Sequence, residues 1–162
     1  LLIVIPIRYF VFQPFFVKGQ SMDPAFENND YLIVDELSYR FRSPARGEVI
    51  VFKYPNDPSQ RYIKRIIGLP GETVEIKAGK IIISKASGEM TLDEKYLPPS
   101  DLTLGDTKAV LGGKDYFVLG DNRLASSDSR RWGSLPRDNI IGRVILRAWP
   151  LNSIAAFGAY NY

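Results

Sequence analysis

The chain contains neither cysteine nor histidine among its 162 residues. Without cysteine it has no disulfides, no thiol catalysis and no thiolate metal sites. Without histidine it cannot form a Ser-His-Asp triad, and nearly all zinc chemistry is excluded as well. We therefore expect neither a metal nor a cofactor, and a hydrolase with this sequence needs another general base.

The chain also lacks a strong excess of one charge, since its net charge is +3 and its basic residues are not gathered into one block. This distribution gives no support for a nucleic-acid partner. The hydrophobic fraction of 45% is that of an ordinary folded protein, and the length suffices for one globular unit with a real core.

The first residues are apolar, but the apolar run 1–7 ends at Arg8. A bilayer-spanning helix needs about 20 apolar residues, so this run is too short to cross a membrane by itself. We interpret residues 1–6 as the outer end of a truncated transmembrane segment. The alternative is a buried first strand of a soluble domain.

Strand signals dominate the rest of the chain, and no stretch has a useful helical apolar period apart from a turn near residues 136–138. Pro14 demotes the first strand to an edge or a bend. Ala78-Gly79 lies between two alternating segments and predicts a hairpin with one solvated face. The predicted strands are 8–17, 31–37, 48–54, 61–69, 73–77, 80–84, 116–119 and 140–149.

Breaks in this pattern suggest how the chain is divided. Residues 55–58 carry two prolines and predict a loop, and residues 87–113 are rich in turn residues with little periodicity. We expect an inserted, partly irregular cap at 72–113 within a core formed by 7–71 and 114–162. The predicted class is mainly β with many non-local pairings.

Ser21 lies in a polar break, Gly19-Gln20-Ser21-Met22-Asp23-Pro24, between two apolar segments. Gly before the serine and Pro after it allow a sharp bend that would expose the hydroxyl. The same residues are also common in turns without any function. The turn alone therefore leaves both interpretations open.

Lys64 and Arg65 are adjacent in a predicted strand and must point to opposite faces. If either face is buried, one cation faces inward, and a desolvated lysine can lose its proton and act as a general base. The alternative is an edge strand from which both side chains reach water.

The loop 120–133 concentrates hydroxyl, carboxylate and guanidinium groups in fourteen residues. Asp–Arg pairs and serine turns could make such a loop rigid enough for one hydroxyl to orient an amine. The alternative is a well-solvated surface loop.

Together these three segments resemble the type I signal peptidases. The turn 19–24 is similar to the family's serine motif. The sequence Arg-Tyr-Ile-Lys-Arg-Ile-Ile-Gly-Leu-Pro-Gly-Glu at 61–72 is similar to its lysine motif, and 120–133 to its Gly-Asp-Asn-Arg…Ser-x-Asp-Ser-Arg-x-Trp-Gly motif. The resemblance runs from about residue 7 to Trp149.

The resemblance implies a membrane-anchored serine protease with a Ser–Lys dyad and a mainly antiparallel β core with a small cap. Such enzymes remove signal peptides from exported preproteins on the extracytoplasmic side of the cell membrane. Ser21 would be the nucleophile, Lys64 the general base and Ser126 the hydroxyl that orients the lysine amine. The implied loop supports are Asp121, Arg123, Asp128 and Arg130. A Ser–Lys pair is a known alternative to the triad and needs no histidine.

The resemblance also implies an extended substrate strand and shallow pockets for the small residues before the cut. The implied partners are signal-peptide-bearing preproteins and a lipid bilayer; the oligomeric state is open. The residues at the pocket positions are Phe15, Val17, Gly19, Met22, Phe26, Tyr62 and Ile63.

The sequence departs from the family pattern after the serine, where Pro24-Ala25-Phe26 replaces the usual Pro-Thr-Leu, and at Gly19. Phe26 stands where leucine is usual and could narrow the pocket. Gly19 stands where some members carry a hydroxyl that serves as a second oxyanion donor. The oxyanion site would then rest on the Ser21 backbone N–H, and loss of one donor is typically worth about 2.7–4 kcal/mol.

Two other functions compete with this hypothesis. A self-cleaving protein of the SOS-repressor kind has a similar dyad but an Ala-Gly or Cys-Gly site upstream of the serine. Here the Ala-Gly sequence, Ala78-Gly79, lies downstream of both dyad residues. An inactive β-domain that binds peptides or membranes would keep the groove without needing Lys64.

Overall fold

The computed structural model describes residues 12–162, so the predicted membrane segment at 1–6 lies outside the described residues. These residues form twelve strands and one short helix, together with 3-10 turns at Ser38–Arg40, Arg137–Asn139 and Leu151–Ser153. The helix α1 spans Ser129–Trp132. The strands are β1 Phe12–Phe16, β2 Tyr31–Asp35, β3 Val49–Tyr54, β4 Asp57–Gly68, β5 Thr73–Lys77, β6 Lys80–Lys85, β7 Gly88–Thr91, β8 Thr107–Val110, β9 Asp115–Leu119, β10 Leu135–Pro136, β11 Ile140–Trp149 and β12 Ala155–Ala156.

The main sheet has the order β1-β2-β11-β3-β4-β9-β10, with β12 paired to β11, and its strand pairs are antiparallel. The mainly β prediction is therefore confirmed. The strand that contains Pro14 lies at the sheet edge, where the missing N–H interrupts no inner ladder.

β3 is buried on both faces, as its continuous apolar sequence predicts. Val49 and Val51 point into one core cluster, whereas Ile50 and Phe52 point into another on the opposite face. This arrangement places β3 and its partner β4 at the centre of the fold.

A second sheet has the order β7-β6-β5-β8 and is formed entirely by residues 73–110. The predicted hairpin is present, because β5 pairs with β6 through Ala78-Gly79, and both turn residues have positive φ. The alternating residues Val74, Ile76 and Ile83 are buried in a third cluster, which also contains Phe117 of the main sheet.

The prediction of a loop at 55–58 is wrong in part. Residues 57 and 58 belong to β4, because the break after β3 is only the two-residue turn at 55–56. Pro58 is tolerated there because β9 pairs with β4 only from Arg65 onward. The interval 87–113 also contains the short strands β7 and β8, which have weak sequence patterns but complete the second sheet.

Candidate active site

The structure brings Lys64 and Ser21 into direct contact. The Nζ of Lys64 donates a hydrogen bond to the Oγ of Ser21 at 2.7 Å and another to the backbone carbonyl of Ile63 at 2.9 Å. The lysine is only 4% exposed, although it lies beside a cleft. β4 therefore presents a buried amine to a serine 43 residues earlier in the chain.

The surroundings of Lys64 favour its neutral form. Burial lowers the pKa of Lys64 to about 8, and this effect outweighs the nearby carboxylates of Asp128 and Asp121, which raise it. The amine also lies 5.4 Å from the ring centre of Tyr62, a neighbour on the same strand face. A base of this pKa has a substantial neutral population near neutral pH.

The turn that carries Ser21 is held by the loop after β9. The backbone N–H of Asn122 donates to the carbonyl of Ser21 at 3.0 Å, and the Asn122 side chain donates to the carbonyl of Gln20 at 3.0 Å. A side chain at Gly120 would overlap both this Ser21 carbonyl and the Ser126 hydroxyl. Gly120 and Asn122 were not among the predicted site residues, because no short-range pattern shows contacts across about one hundred residues.

Arg65 points away from Lys64 and is also buried. Its guanidinium donates two hydrogen bonds to Asp121, at 2.9 and 2.6 Å, and one to the carbonyl of Gly47 at 2.9 Å. Both faces of β4 thus hold a buried cation, and Arg65 ties the lysine strand to the loop that contacts Ser21.

Asp128 and Arg130 form an internal brace of that loop. The Asp128 carboxylate accepts from the Arg130 side chain at 2.9 and 2.8 Å and from the backbone N–H of Gly120 at 3.1 Å. Burial raises the pKa of Asp128, but the hydrogen bonds and charge of Arg130 outweigh burial and keep this pKa below its usual range.

Arg123 connects the same loop to the second sheet's segment. Its guanidinium forms two hydrogen bonds with Glu94, at 2.8 and 2.5 Å, and its Nε donates to the carbonyl of Gly120. Asp121 and Arg123 therefore do not pair with each other. Each instead joins the loop to a different part of the fold.

Ser126 lies at the site, but its predicted hydrogen bond to Lys64 is not formed. The residue is buried next to Gly120, and its Oγ has no partner of acceptable hydrogen-bond geometry among the described residues, although it lies close enough to Asp128 to help lower that pKa. Buried hydroxyls without partners are uncommon and are often functional. Its role in orienting the amine stays a prediction.

An open cleft of about 730 Å³ borders the serine and the lysine. Of the predicted pocket residues, Phe15, Tyr62 and Ile63 line it, together with Pro14 and Phe16 of the edge strand. The structure does not bring the other four into this lining. Val17, Met22 and Phe26 are packed in the core cluster that also contains Ile63, and Gly19 is exposed.

Gly19 adopts a backbone conformation that favours glycine, with φ of 87°. Its N–H donates to the side-chain oxygen of Asn28 at 2.9 Å, and the space around its Cα is open. The departure from the family pattern is therefore accommodated by the local backbone.

Among residues 12–162, no cluster of three or more acidic side chains is arranged to hold a metal ion. The same part of the chain contains no helix long and apolar enough to span a bilayer.

Comparison with known proteins gives a consistent result. A family model described as signal peptidase, peptidase S26, matches residues 1–149. Signal peptidase I of Leptolyngbya laminosa is 42% identical, over 94% of this chain and 76% of that protein. Probable signal peptidase I-2 of Synechocystis sp. is 40% identical, over 93% and 69%. The crystal structure of a signal peptidase I from Enterococcus faecalis has 31% identity and a TM-score of 0.53, covering 63% of this chain and 97% of that one.

Proposed function

The chain belongs to the signal peptidase family S26, and we propose that Ser21 and Lys64 are the nucleophile and general base with which this serine endopeptidase removes signal peptides from preproteins. The observation that carries this assignment is the 2.7 Å contact between the serine hydroxyl and a buried amine. With no histidine or cysteine in the chain, Lys64 is the base within reach of that hydroxyl.

The reaction follows from this contact. The neutral Lys64 amine accepts the Ser21 proton while Oγ attacks the carbonyl carbon of the scissile peptide bond. The resulting ammonium then protonates the leaving amine, and the C–N bond breaks to leave an acyl-enzyme. The lysine next activates a water molecule, whose attack releases the signal peptide and restores the serine.

The loop after β9 holds Ser21 and Lys64 in position relative to each other. Asn122 fixes the carbonyl of Ser21, and Asp121 fixes the strand of Lys64 through Arg65. We assign Asp128 and Arg130 to holding the loop itself, and Ser126 to orienting the lysine amine in the substrate complex. Catalytic hydrogen bonds often tighten only when substrate is bound.

The cleft suits an extended peptide. One wall comes from edge strand β1 and the other from the start of β4, so a substrate strand could pair with exposed backbone between them. Tyr62 and Ile63 immediately precede Lys64 in β4, and both line the cleft. Ile63 also packs in one core cluster with the buried Met22 and Phe26. Because this core is filled, the cleft beside Ile63 favours small substrate residues before the cut.

We assign the second sheet and its connections, within 72–113, to a cap attached to the catalytic core of 7–71 and 114–162. Glu94 and Arg123 form its principal polar link to the catalytic loop. The cap lies away from the residues that line the cleft, so it is expected to support the loop without binding the peptide.

The protein is assigned to the extracytoplasmic face of a membrane. Phe16 and Trp149 are both paired with Tyr31 and are each more than half exposed, next to the exposed Leu151 and Ile154. An apolar surface of this kind beside an active site suits lipid contact. Flotation with liposomes tests it: equal flotation of the wild type and a Phe16→Ser/Trp149→Ser variant would contradict lipid contact through this surface.

Incubation with a preprotein, followed by sequencing of the product N-termini, tests the function itself. One new N-terminus after a small-x-small sequence is expected, with none from Ser21→Ala. Cleavage of the enzyme alone would favour the self-processing alternative, and no cleavage would favour the inactive binding domain.

A further inference from the structure

Residues 155–162 follow the last long strand and return across the catalytic core. β12 pairs with β11, and the backbone N–H of Phe157 donates to the carbonyl of Ile145 at 2.9 Å. The ring of Phe157 packs against Phe26, with 4.5 Å between ring centres. The segment is thus fixed beside the turn that carries Ser21.

The segment next crosses Gly47 in close contact. The backbone N–H of Tyr160 donates to the Gly47 carbonyl at 3.3 Å, and a side chain at Gly47 would overlap the Tyr160 backbone. The same Gly47 carbonyl accepts a hydrogen bond from Arg65. Arg65 and Tyr160 therefore share the Gly47 carbonyl as an acceptor.

Tyr160 and Tyr162 then form an aromatic cluster with Tyr96. The ring centre of Tyr96 lies 4.7 Å from that of Tyr160 and 6.0 Å from that of Tyr162, and it lies 4.2 Å from the guanidinium carbon of Arg65. The hydroxyls of Tyr96 and Tyr162 are 2.9 Å apart. Burial in this cluster raises the pKa of Tyr162 to about 12, so its hydroxyl stays neutral under physiological conditions.

We propose that residues 155–162 are a positioning segment for the reaction, in which Tyr160 and Tyr162, acting through Tyr96, hold Arg65 against Asp121 behind the lysine strand. This inference rests on the proposed role of Lys64. None of residues 155–162 lines the cleft that borders Ser21 and Lys64, so the segment acts through other groups. Its contacts reach the core through Phe157, the cap through Tyr96, and the Gly47 carbonyl that Arg65 of β4 also contacts.

The charged groups around Lys64 explain how this segment affects the reaction. Asp121 and Asp128 are the carboxylates that stabilise the lysine's charged form. Asp128 is paired with Arg130, and Asp121 with Arg65. If Arg65 is freed from the ring of Tyr96, the negative charge of Asp121 is less compensated, and protonated Lys64 is favoured.

The other polar groups of the cluster do not face the amine. Glu94 is paired with Arg123, and the hydroxyl of Tyr96 donates to Glu94 at 2.7 Å while accepting from Arg123 at 3.0 Å. Loss of the tyrosine rings would therefore act on Lys64 through the Arg65–Asp121 pair, since Arg65 contacts the ring of Tyr96 and Asp121 is one of the two carboxylates that raise the pKa of the lysine.

The test compares the pH dependence of preprotein cleavage for the wild type, Tyr160→Ala/Tyr162→Ala and the ring-retaining control Tyr160→Phe/Tyr162→Phe. The acid limb is the rise of kcat with pH that follows deprotonation of Lys64. For the alanine variant we expect this limb to lie about half a pH unit higher, with about threefold lower turnover at pH 7. Turnover should recover to within about twofold of the wild type above pH 9.5, and KM should be unchanged. The phenylalanine variant should retain the wild-type limb.

An unchanged acid limb in the alanine variant, with turnover lowered equally at every pH, would overturn the positioning role and leave only a structural one. If the double variant does not fold, Tyr162→Ala carries the test with the same two outcomes. Lys64→Met separates this inference from the proposed function. Activity in Lys64→Met would refute the role of Lys64 as the base. If Lys64→Met is inactive and the alanine variant of the tyrosines keeps the wild-type acid limb, only the role of the segment is refuted.

Discussion

The guanidinium of Arg65 forms two hydrogen bonds with the carboxylate of Asp121, and both side chains are almost fully buried. The pair joins the strand that carries the general base to the loop that contacts the nucleophile turn. A buried ion pair costs desolvation energy when it forms, but breaking it leaves an uncompensated charge in the interior. The pair therefore matters for geometry more than for net stability.

Asp121→Asn should lower the free energy of unfolding by about 3–5 kcal/mol, because it leaves the Arg65 charge buried without a counter-ion. Urea denaturation measures the change. Asp93→Asn is the matched control, since Asp93 pairs with Lys95 on the surface, and it should change stability far less than Asp121→Asn does. Equal losses in the two variants would mean that burial of Arg65 does not depend on Asp121.

The pH dependence of cleavage should follow Lys64. Since burial lowers the pKa of this lysine to about 8, turnover should rise with pH through that value and fall in acid. An unperturbed lysine, with a pKa near 10.4, would leave only about one molecule in 2,500 neutral at pH 7. A rise of kcat centred near pH 10 would show that the base is not desolvated.

The lowered pKa of Lys64 also affects stability, because the unfolded state binds more protons than the folded state between about pH 8 and 10.5. Lys64 therefore makes folding less favourable below that range.

Ser126→Ala should lower kcat by at least about tenfold with little change in KM, because the lysine amine would lose its orienting hydroxyl. The stability change should be small, since within residues 12–162 the Ser126 hydroxyl makes no hydrogen bond of acceptable geometry. Ser87→Ala, on an exposed turn, is the control for handling and expression. Full turnover in Ser126→Ala would remove this residue from the mechanism.

A preprotein with alanine immediately before the cut and alanine or valine two residues earlier should be cleaved at one site. Replacing the first alanine by leucine should lower kcat/KM by about 100-fold or more, because Ile63 lines the cleft over a filled core. Glycine at the same position should still be accepted. Efficient cleavage after leucine would contradict the small pocket.

Local sequence patterns were enough to predict much of the fold. The alternation in 73–77 and 80–84 and the intervening Ala78-Gly79 predicted the hairpin, and the continuous apolar run of β3 predicted burial on both faces. Weak strands such as β7 and β8 were missed. Their residues are mostly exposed, so the pairing partner and not their own pattern makes them strands.

The chemistry of the site was only partly readable from the sequence. Alternation required Lys64 and Arg65 to face opposite sides, but it could not show that both are buried or that Asp121 pairs with Arg65 across 56 residues. The contact of Asn122 with the Ser21 carbonyl likewise depends on tertiary packing. The resemblance implies that Met22 and Phe26 line the pocket, and the structure packs both in the core cluster that contains the cleft residue Ile63.

The proposed mechanism requires the Lys64 amine as the general base for Ser21. The most direct test is turnover of a preprotein by Lys64→Met, whose side chain is nearly isosteric but cannot accept a proton. Circular dichroism and thermal unfolding should establish that the variant is folded. If Lys64 is the general base, folded Lys64→Met yields no new N-terminus at any pH from 6 to 10, like Ser21→Ala. A folded Lys64→Met that still cleaves the preprotein would contradict this role.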